Sequence, residues 1–154
     1  FREISSEASQ YGLPSVLWSY PRGGNISKQG ETGLDIISYA AHIAAQLGAH
    51  IIKVKPPSHN LENNDLKKSY DNDKKDFTLL SNRIDHIKRC AFNKKRIVVF
   101  SGGNSKNTDD LLDEIRQINL GGGNGSIIGR NTFQRPKDEA ISLLKKIIAI
   151  YKNE

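Results

Sequence analysis

Four strand patterns alternate with four helix patterns along this 154-residue chain, and that order predicts an α/β fold with a parallel sheet. The predicted strands cover residues 15–20, 51–55, 96–100 and 125–129. Their connections are short except for the polar segment 56–73. A complete (β/α)8 barrel takes about 250 residues. Four units therefore predict half of such a barrel, with residues 1–154 forming part of one domain.

Composition limits the classes of function. The content of 36% hydrophobic and 26% charged residues is typical of a water-soluble globular protein. No apolar run approaches the ~20 residues of a membrane-spanning helix, and the first residues lack a signal-peptide pattern. The sequence thus predicts a cytoplasmic protein without a membrane partner. The chain starts at Phe1 and contains no methionine, so we expect it to be part of a longer protein.

The net charge of +6 suggests an anionic partner. The lysines are scattered among acids, as in residues 71–76, rather than clustered in stripes with aromatic residues. We therefore expect no nucleic-acid partner. Cys90 is the single cysteine, which excludes an internal disulfide and fits a small core residue on a helix. His59 has no cluster of further ligands around it, so no metal or other cofactor is predicted.

The first strand pattern follows a helix end and loop over residues 1–13. Val16, Trp18 and Tyr20 share one face of it because side chains alternate along a strand. Pro21 stops the strand, and Arg22 follows in a glycine-containing loop. An arginine fork suits a phosphate or carboxylate, although a plain turn with a surface arginine fits the same residues.

The second unit combines a helix over residues 32–47 with a strand that carries two lysines. In residues 51–55, Lys53 and Lys55 point away from the face of Ile52 and Val54. Two neighbouring ammonium groups between apolar walls each have a lowered pKa, and such a lysine is a nucleophile toward carbonyls. The alternative is a strand end whose lysines reach out to water. Residues 56–73 then predict a mobile insertion or an oligomer contact.

The last two units end in glycine-containing loops. A helix over residues 74–92 precedes the third strand, which leads into Ser101, Gly102 and Gly103. Asn107 or Thr108 can cap a helix over residues 109–120. The fourth strand leads into Gly129 and Arg130, and a last helix follows Pro136. Its predicted buried stripe is Ile141, Leu144, Ile147, Ile148 and Tyr151.

The chemically informative residues all lie at the carboxyl ends of the predicted strands, where barrel enzymes build their active sites. Glycine loops after the last two strands also match the usual phosphate site of a barrel. This pattern assigns the chain to the C-terminal half of a barrel, strands 5 to 8, and places Lys53 on strand 6.

Four motifs in this order resemble the archaeal-type class I fructose-bisphosphate aldolases of the DeoC/FbaB-like aldolase superfamily. The motifs are Trp18-Ser19-Tyr20-Pro21-Arg22-Gly23, Lys53-Val54-Lys55, Ser101-Gly102-Gly103 and Gly129-Arg130-Asn131-Thr132-Phe133-Gln134-Arg135. The resemblance runs from about residue 13 to residue 136. It implies a lyase of glycolysis and gluconeogenesis that cleaves fructose 1,6-bisphosphate through a Schiff base, without a metal.

The resemblance also implies roles for individual residues. Lys53 matches the Schiff-base lysine, Lys55 its neighbouring cation and Tyr20 the proton-transfer residue. Trp18 would line the substrate, and Arg22 would lie near the far phosphate. The 1-phosphate site would comprise Ser101, Gly102, Gly103, Gly129 and Arg130. Pro56-Pro57 and the polar segment replace a shorter Tyr- and Gly-containing loop of the family, and its first-strand aspartate has no counterpart here.

Three other interpretations of the sequence remain possible. Related barrels use the same lysine position for transferase or thiolase reactions on other phosphorylated keto compounds. A non-catalytic sugar-phosphate binder would use the glycine loops and leave Lys53 idle. A structural half-barrel would use its lysines for solubility alone. The apolar last helix and the polar segment also predict a homo-oligomer.

Overall fold

The computed structural model describes residues 1–102 and 106–153 and contains a four-stranded parallel sheet. Its strands are β1 (Val16–Trp18), β2 (Ile51–Val54), β3 (Ile97–Ser101) and β4 (Ser126–Ile127). They lie side by side in chain order, and each pairs in parallel with the next. The predicted α/β fold with a parallel sheet is confirmed, although β1 and β4 are shorter than predicted.

Seven α-helices accompany the sheet in the described residues. They are α1 (Arg2–Gln10), α2 (Leu34–Gln46), α3 (Lys67–Asp71), α4 (Leu80–Cys90), α5 (Thr108–Leu120), α6 (Arg130–Phe133) and α7 (Lys137–Lys152). Short 3-10 turns occupy Gly30–Thr32 and Asn64–Leu66. Among these residues no helix combines the length and apolar character needed to cross a bilayer.

In residues 1–102 and 106–153, helices cover one face of the sheet and leave the other open. Ile52, Val54 and Phe100 are buried beneath α2, α4 and α5, because alternate strand residues point to that side. The opposite face carries Val16 and Ile97, which are 44% and 46% exposed. The sheet therefore has a covered face and an open, largely apolar face.

The helix predicted over residues 74–92 begins later, at Leu80. The Asp76 carboxylate accepts hydrogen bonds from the backbone N–H and the hydroxyl of Thr78, at 2.9 and 2.6 Å. Arg83 donates to the backbone carbonyls of Phe77 and Thr78. These side-chain contacts hold the backbone before residue 80 in a turn, so its polar groups are satisfied without a helix.

The predicted stripe of the last helix is wrong at three positions. Ile141, Leu144 and Ile148 are exposed, whereas Leu143 and Ile147 are buried. The helix presents Leu143, Ile147, Ile150 and Tyr151 to the core. Apolar residues occupy more than one side of α7, so periodicity alone could not select the buried side. The hydrogen bond between the Tyr151 and Ser126 hydroxyls, 2.6 Å, accompanies the observed orientation.

The polar segment 56–73 is anchored to α2. The Asp35 carboxylate at the start of α2 accepts hydrogen bonds from the backbone N–H groups of Glu62 and Asn63, at 3.1 and 2.8 Å. Leu61 and Tyr70 pack against the hydrophobic core. These contacts fix the course of the segment next to the first strands.

We expect the substitution Asp85→Asn to destabilise the protein in a pH-dependent way. Burial alone would raise the pKa of Asp85, but Lys75 and Lys94 more than offset it, and the pKa falls to about 2. Since the carboxylate is ionised more readily in the folded state, it contributes stability above about pH 4, the ordinary aspartate pKa. That contribution is lost as the pH falls toward 2.

The expected loss is about 1–2 kcal/mol at pH 7, measured by urea denaturation of wild type and variant at pH 7 and pH 3. The difference between the two proteins should shrink at pH 3. The exposed Glu7 on α1 offers the control Glu7→Gln, with an expected change within about 0.5 kcal/mol. An equal loss for Asp85→Asn at both pH values would contradict the prediction.

Candidate active site

A cavity of about 470 Å³ opens at the carboxyl ends of the strands. Its walls include most of the residues predicted for the site: Trp18, Tyr20, Lys53, Ser101, Gly102, Gly129 and Arg130. The parallel sheet brings them together because all four strands end at this edge.

Lys53 is buried between β1 and the rest of the site. It pairs in register with Trp18 of β1, and its Nζ lies 3.5 Å from the centroid of the Trp18 ring. The residue is only 5% exposed although it carries an amine. Burial lowers the pKa of Lys53, because an ammonium group loses its water shell there. The indole face acts in the opposite sense, because it attracts the charged form.

Tyr20 connects β1 to β3 across the cavity. Its hydroxyl donates a 2.9 Å hydrogen bond to the carbonyl oxygen of Ser101, and the Ser101 hydroxyl donates to the carbonyl of Ile127 at 2.7 Å. Burial raises the pKa of Tyr20 above its ordinary range, so the phenol stays protonated at neutral pH and above it. Gly102 has a φ of +100°, and a Cβ there would lie 3.3 Å from the Tyr20 hydroxyl oxygen. A residue without a side chain suits this position in both respects.

Lys55 occupies a different place from the one its sequence position suggests. Its Nζ lies 3.1 Å from a carboxylate oxygen of Glu31. It lines an adjoining cavity of about 270 Å³ with Arg83 and Lys106. The expected mutual repulsion of two uncompensated amines is therefore replaced by an ion pair, and burial is the cause of the lowered pKa of Lys53.

Glu31 is a feature of the site that sequence reasoning missed. It is 24 positions from Lys55 and stands as a single acid in a polar loop. No periodicity or spacing signal relates the two residues, because only the tertiary structure brings the loop after β1 against the end of β2.

The remaining predicted residues differ in their surroundings. Arg22 is exposed in the loop after β1 and is not part of either cavity wall. Gly129 precedes α6 and lies in the cavity wall beside Arg130. Gly103 falls outside the described residues. Among residues 1–102 and 106–153 no group of His, Cys, Asp and Glu side chains has the arrangement of a metal site.

Comparison with known proteins identifies the family. The family model of the DeoC/LacD aldolases matches residues 1–135. This chain belongs to that family. The resemblance found in the four sequence motifs is thereby confirmed at the level of the family.

Curated relatives include archaeal enzymes. The chain is 33% identical over 146 residues to a fructose-bisphosphate aldolase/6-deoxy-5-ketofructose 1-phosphate synthase of Methanocaldococcus jannaschii, covering 94% of this chain and 40% of the relative. It is 32% identical over 132 residues to a class 1 fructose-bisphosphate aldolase of Thermoproteus tenax, covering 86% of this chain and 41% of the relative. The chain thus spans about two-fifths of the length of these relatives.

Solved structures of similar proteins share the fold. An archaeal fructose 1,6-bisphosphate aldolase superimposes with a TM-score of 0.76 at 27% identity, over 99% of this chain and 50% of that one. An archaeal aldolase with its catalytic lysine covalently bound to the carbinolamine intermediate of the substrate superimposes with a TM-score of 0.71 at 28% identity, over 95% of this chain and 49% of that one.

We expect Trp18 fluorescence to report the protonation of Lys53. Trp18 is the only tryptophan of the chain, and the Lys53 amine lies against its ring. A pH titration of the emission should show a transition below the usual pKa range of lysine, because burial lowers the pKa of Lys53. The raised pKa of Tyr20 places ionisation of its phenol at higher pH. The transition should be absent in Lys53→Met, and its persistence there would contradict the assignment.

Proposed function

We propose that these residues form the C-terminal half of a (β/α)8 barrel, strands 5 to 8, in a class I fructose-bisphosphate aldolase. The enzyme would cleave fructose 1,6-bisphosphate reversibly to dihydroxyacetone phosphate and glyceraldehyde 3-phosphate. The observation that carries the proposal is the Lys53 amine, buried under Trp18 beside the Tyr20 ring and opening into the cavity.

The one-sided sheet supports the half-barrel. Trp18 is 65% exposed although one face of its ring covers the Lys53 amine. In a closed barrel, the open face with Val16, Trp18 and Ile97 would become the packed interior. Relatives more than twice as long as this chain are consistent with that arrangement.

Lys53 would begin the reaction as the nucleophile. Its lowered pKa increases the fraction of neutral amine, whose lone pair attacks the ketone carbon of the sugar phosphate. The carbinolamine formed in this step loses water to give an iminium ion. The iminium accepts the electron pair of the breaking carbon–carbon bond, so the mechanism needs no metal or other cofactor as an electron sink.

Tyr20 would move protons during these steps. Its raised pKa keeps a proton available on the phenol oxygen, and the hydrogen bond to Ser101 fixes the direction of that hydroxyl. A proton-transfer group has to lie within hydrogen-bond reach of the reacting atoms. Lys55 would act as the neighbouring cation, held by Glu31.

The phosphate groups would orient the substrate. Ser101, Gly102, Gly129 and Arg130 line the same cavity as Lys53, and with Gly103 they make up the proposed 1-phosphate site. Arg22 in its exposed loop would meet the far phosphate. Binding both ends of the substrate converts binding energy into orientation at the reacting carbon.

Location, pathway and oligomeric state remain predictions of the sequence. We propose a cytoplasmic enzyme of glycolysis and gluconeogenesis, and a homo-oligomer. None of these properties affects the assignment of the lysine site.

Borohydride trapping with dihydroxyacetone phosphate tests the function. We expect a reduced adduct on Lys53, identified by peptide mass mapping of the longest polypeptide that carries this sequence. Lys53→Arg should abolish the adduct, because a guanidinium group stays protonated and does not form the imine. Lys28→Arg, at an exposed lysine, is the matched control and should leave the adduct intact.

If borohydride traps no adduct while the protein still binds the sugar phosphate, the aldolase proposal is overturned. The protein would then be a sugar-phosphate binder. An adduct on Lys55 would show the right chemistry at the wrong residue.

The substitution Tyr20→Phe should leave imine formation intact while it slows turnover. We expect the borohydride adduct to persist while kcat falls by about 10²- to 10⁴-fold, the usual contribution of a positioned proton-transfer group. Steady-state cleavage of fructose 1,6-bisphosphate measures the second effect. Turnover at the wild-type rate would remove Tyr20 from the proposed mechanism.

A second candidate is a Schiff-base reaction on another phosphorylated keto sugar. The relative from Methanocaldococcus jannaschii is both a fructose-bisphosphate aldolase and a 6-deoxy-5-ketofructose 1-phosphate synthase, which favours this alternative. The relative rates of cleavage of fructose 1,6-bisphosphate and fructose 1-phosphate discriminate between the two, because only the bisphosphate engages the exposed Arg22.

A further inference from the structure

Glu31 places a nearly buried carboxylate between two lysines next to the candidate site. One carboxylate oxygen lies 3.1 Å from Lys55 Nζ and the other lies 3.1 Å from Lys28 Nζ. The side chain of Lys28 is 88% exposed, whereas those of Lys55 and Glu31 are 13% and 11% exposed. The pair with Lys55 is therefore the shielded one, and surface pairs such as that with Lys28 contribute little.

The backbone that carries Glu31 is fixed by the polar segment. Glu31 lies in the 3-10 turn Gly30–Thr32, and the Ser58 N–H and hydroxyl both donate to the carbonyl of Thr32, at 2.7 and 3.0 Å. The Glu62 carboxylate accepts hydrogen bonds from the N–H and hydroxyl of Ser27, both at 2.6 Å. A Cβ on Gly30 would collide with this same carboxylate, so glycine permits the close approach.

The amines of Lys53 and Lys55 both approach the Tyr20 ring, although the two residues line adjoining cavities. Lys55 directly follows Val54, the last residue of β2, and the amines of Lys53 and Lys55 lie 5.7 and 5.8 Å from the centroid of the Tyr20 ring. Without a counter-ion, the charge of Lys55 would act directly on Lys53. The Glu31 carboxylate, 3.1 Å from the Lys55 amine, supplies that counter-ion, while burial lowers the pKa of Lys53.

We propose that Glu31 is a positioning residue of the lysine site: its carboxylate keeps the Lys55 amine in an ion pair beside Tyr20, so that Lys53 is the amine of this pair that reacts with a carbonyl, and it offsets the charge that Lys55 would otherwise exert on Lys53. The inference rests on the proposed role of Lys53 as the Schiff-base nucleophile. It also gives the segment 56–73 a function, since Ser58 and Glu62 fix the turn that carries Glu31.

Other titratable side chains near Lys53 come from several elements of the fold. Tyr20 approaches Lys53 from the loop after β1, and Lys55 directly follows β2. Arg130 from the start of α6 and Glu114 from α5 line the same cavity. The variants of the test leave Tyr20, Arg130 and Glu114 unchanged, so differences between the variants report the Glu31–Lys55 pair.

A charge cycle on the longest polypeptide that carries this sequence tests the inference. The variants are Glu31→Gln, Lys55→Gln and the double variant, with Lys28→Gln as the control at the exposed partner of Glu31. The probe is formaldehyde with cyanoborohydride, which methylates neutral amines: the amine adds to the aldehyde, water leaves, and hydride reduces the iminium. Peptide mass spectrometry gives the rate at Lys53 and at Lys55 as a function of pH.

Glu31→Gln should move the midpoint of Lys53 labelling down by roughly one pH unit, because the charge of Lys55 then has no counter-ion and disfavours the protonated form of Lys53 two residues away. It should also raise the share of label on Lys55, which is no longer held. Lys55→Gln should move the midpoint up, because the Glu31 carboxylate then acts on Lys53 alone. The double variant should return to the wild-type midpoint, and Lys28→Gln should match wild type.

A wild-type midpoint in Glu31→Gln would overturn the proposal, as would a double variant that keeps the shift of Glu31→Gln. Circular dichroism shows whether Glu31→Gln folds. If it does not, Lys55→Gln and Lys28→Gln still test the proposal: an upward shift of the Lys53 midpoint in Lys55→Gln alone supports it, and no shift in Lys55→Gln overturns it. The probe uses no sugar phosphate. A failure of the aldolase proposal would therefore appear as missing turnover with this labelling pattern intact.

Discussion

The burial of one amine governs the rest of the candidate site. Lys53 sits at 5% exposure with the Trp18 ring over its nitrogen, and a lysine in that position loses most of the hydration that stabilises its charge. The sheet can hold it there because Ile52 and Val54, on the other face of β2, are fully buried beneath the helices. The packing that fixes β2 therefore also fixes the buried position of the Lys53 amine.

Lys53 has hydrogen bonds between strands on one side of it and charged loop residues on the other. Two hydrogen bonds, from Tyr20 to Ser101 and from Ser101 to Ile127, link the loop after β1 with β3 and β4. On the polar side, the loop after β1 supplies Glu31 and the segment after β2 supplies Ser58 and Glu62. Charges are thus held by elements that pack on α2, through Asp35, rather than by the sheet itself.

Much of the fold follows from local patterns. The helix α5 begins where Asn107 provides a capping oxygen to Asp110, and β3 coincides with the apolar run that ends at Ser101. Local patterns did not predict the start of α4 or the orientation of α7, and the physical reasons differ. The start of α4 depends on Arg83 reaching back to Phe77 and Thr78. The orientation of α7 depends on which of two apolar sides meets α5 and the Ser126 hydroxyl.

The sequence by itself determined the alternation of strands and helices, the face on which Lys53 lies and the edge of the sheet at which the site forms. These features depend on periodicity and chain direction, which are local and are written in residue order. Only the tertiary structure decided that Lys55 is paired with Glu31, that Arg22 stays exposed, and that the polar segment is anchored. Those outcomes depend on contacts between residues far apart in the chain, and the free energy of an ion pair is set by burial and distance, which residue order does not contain.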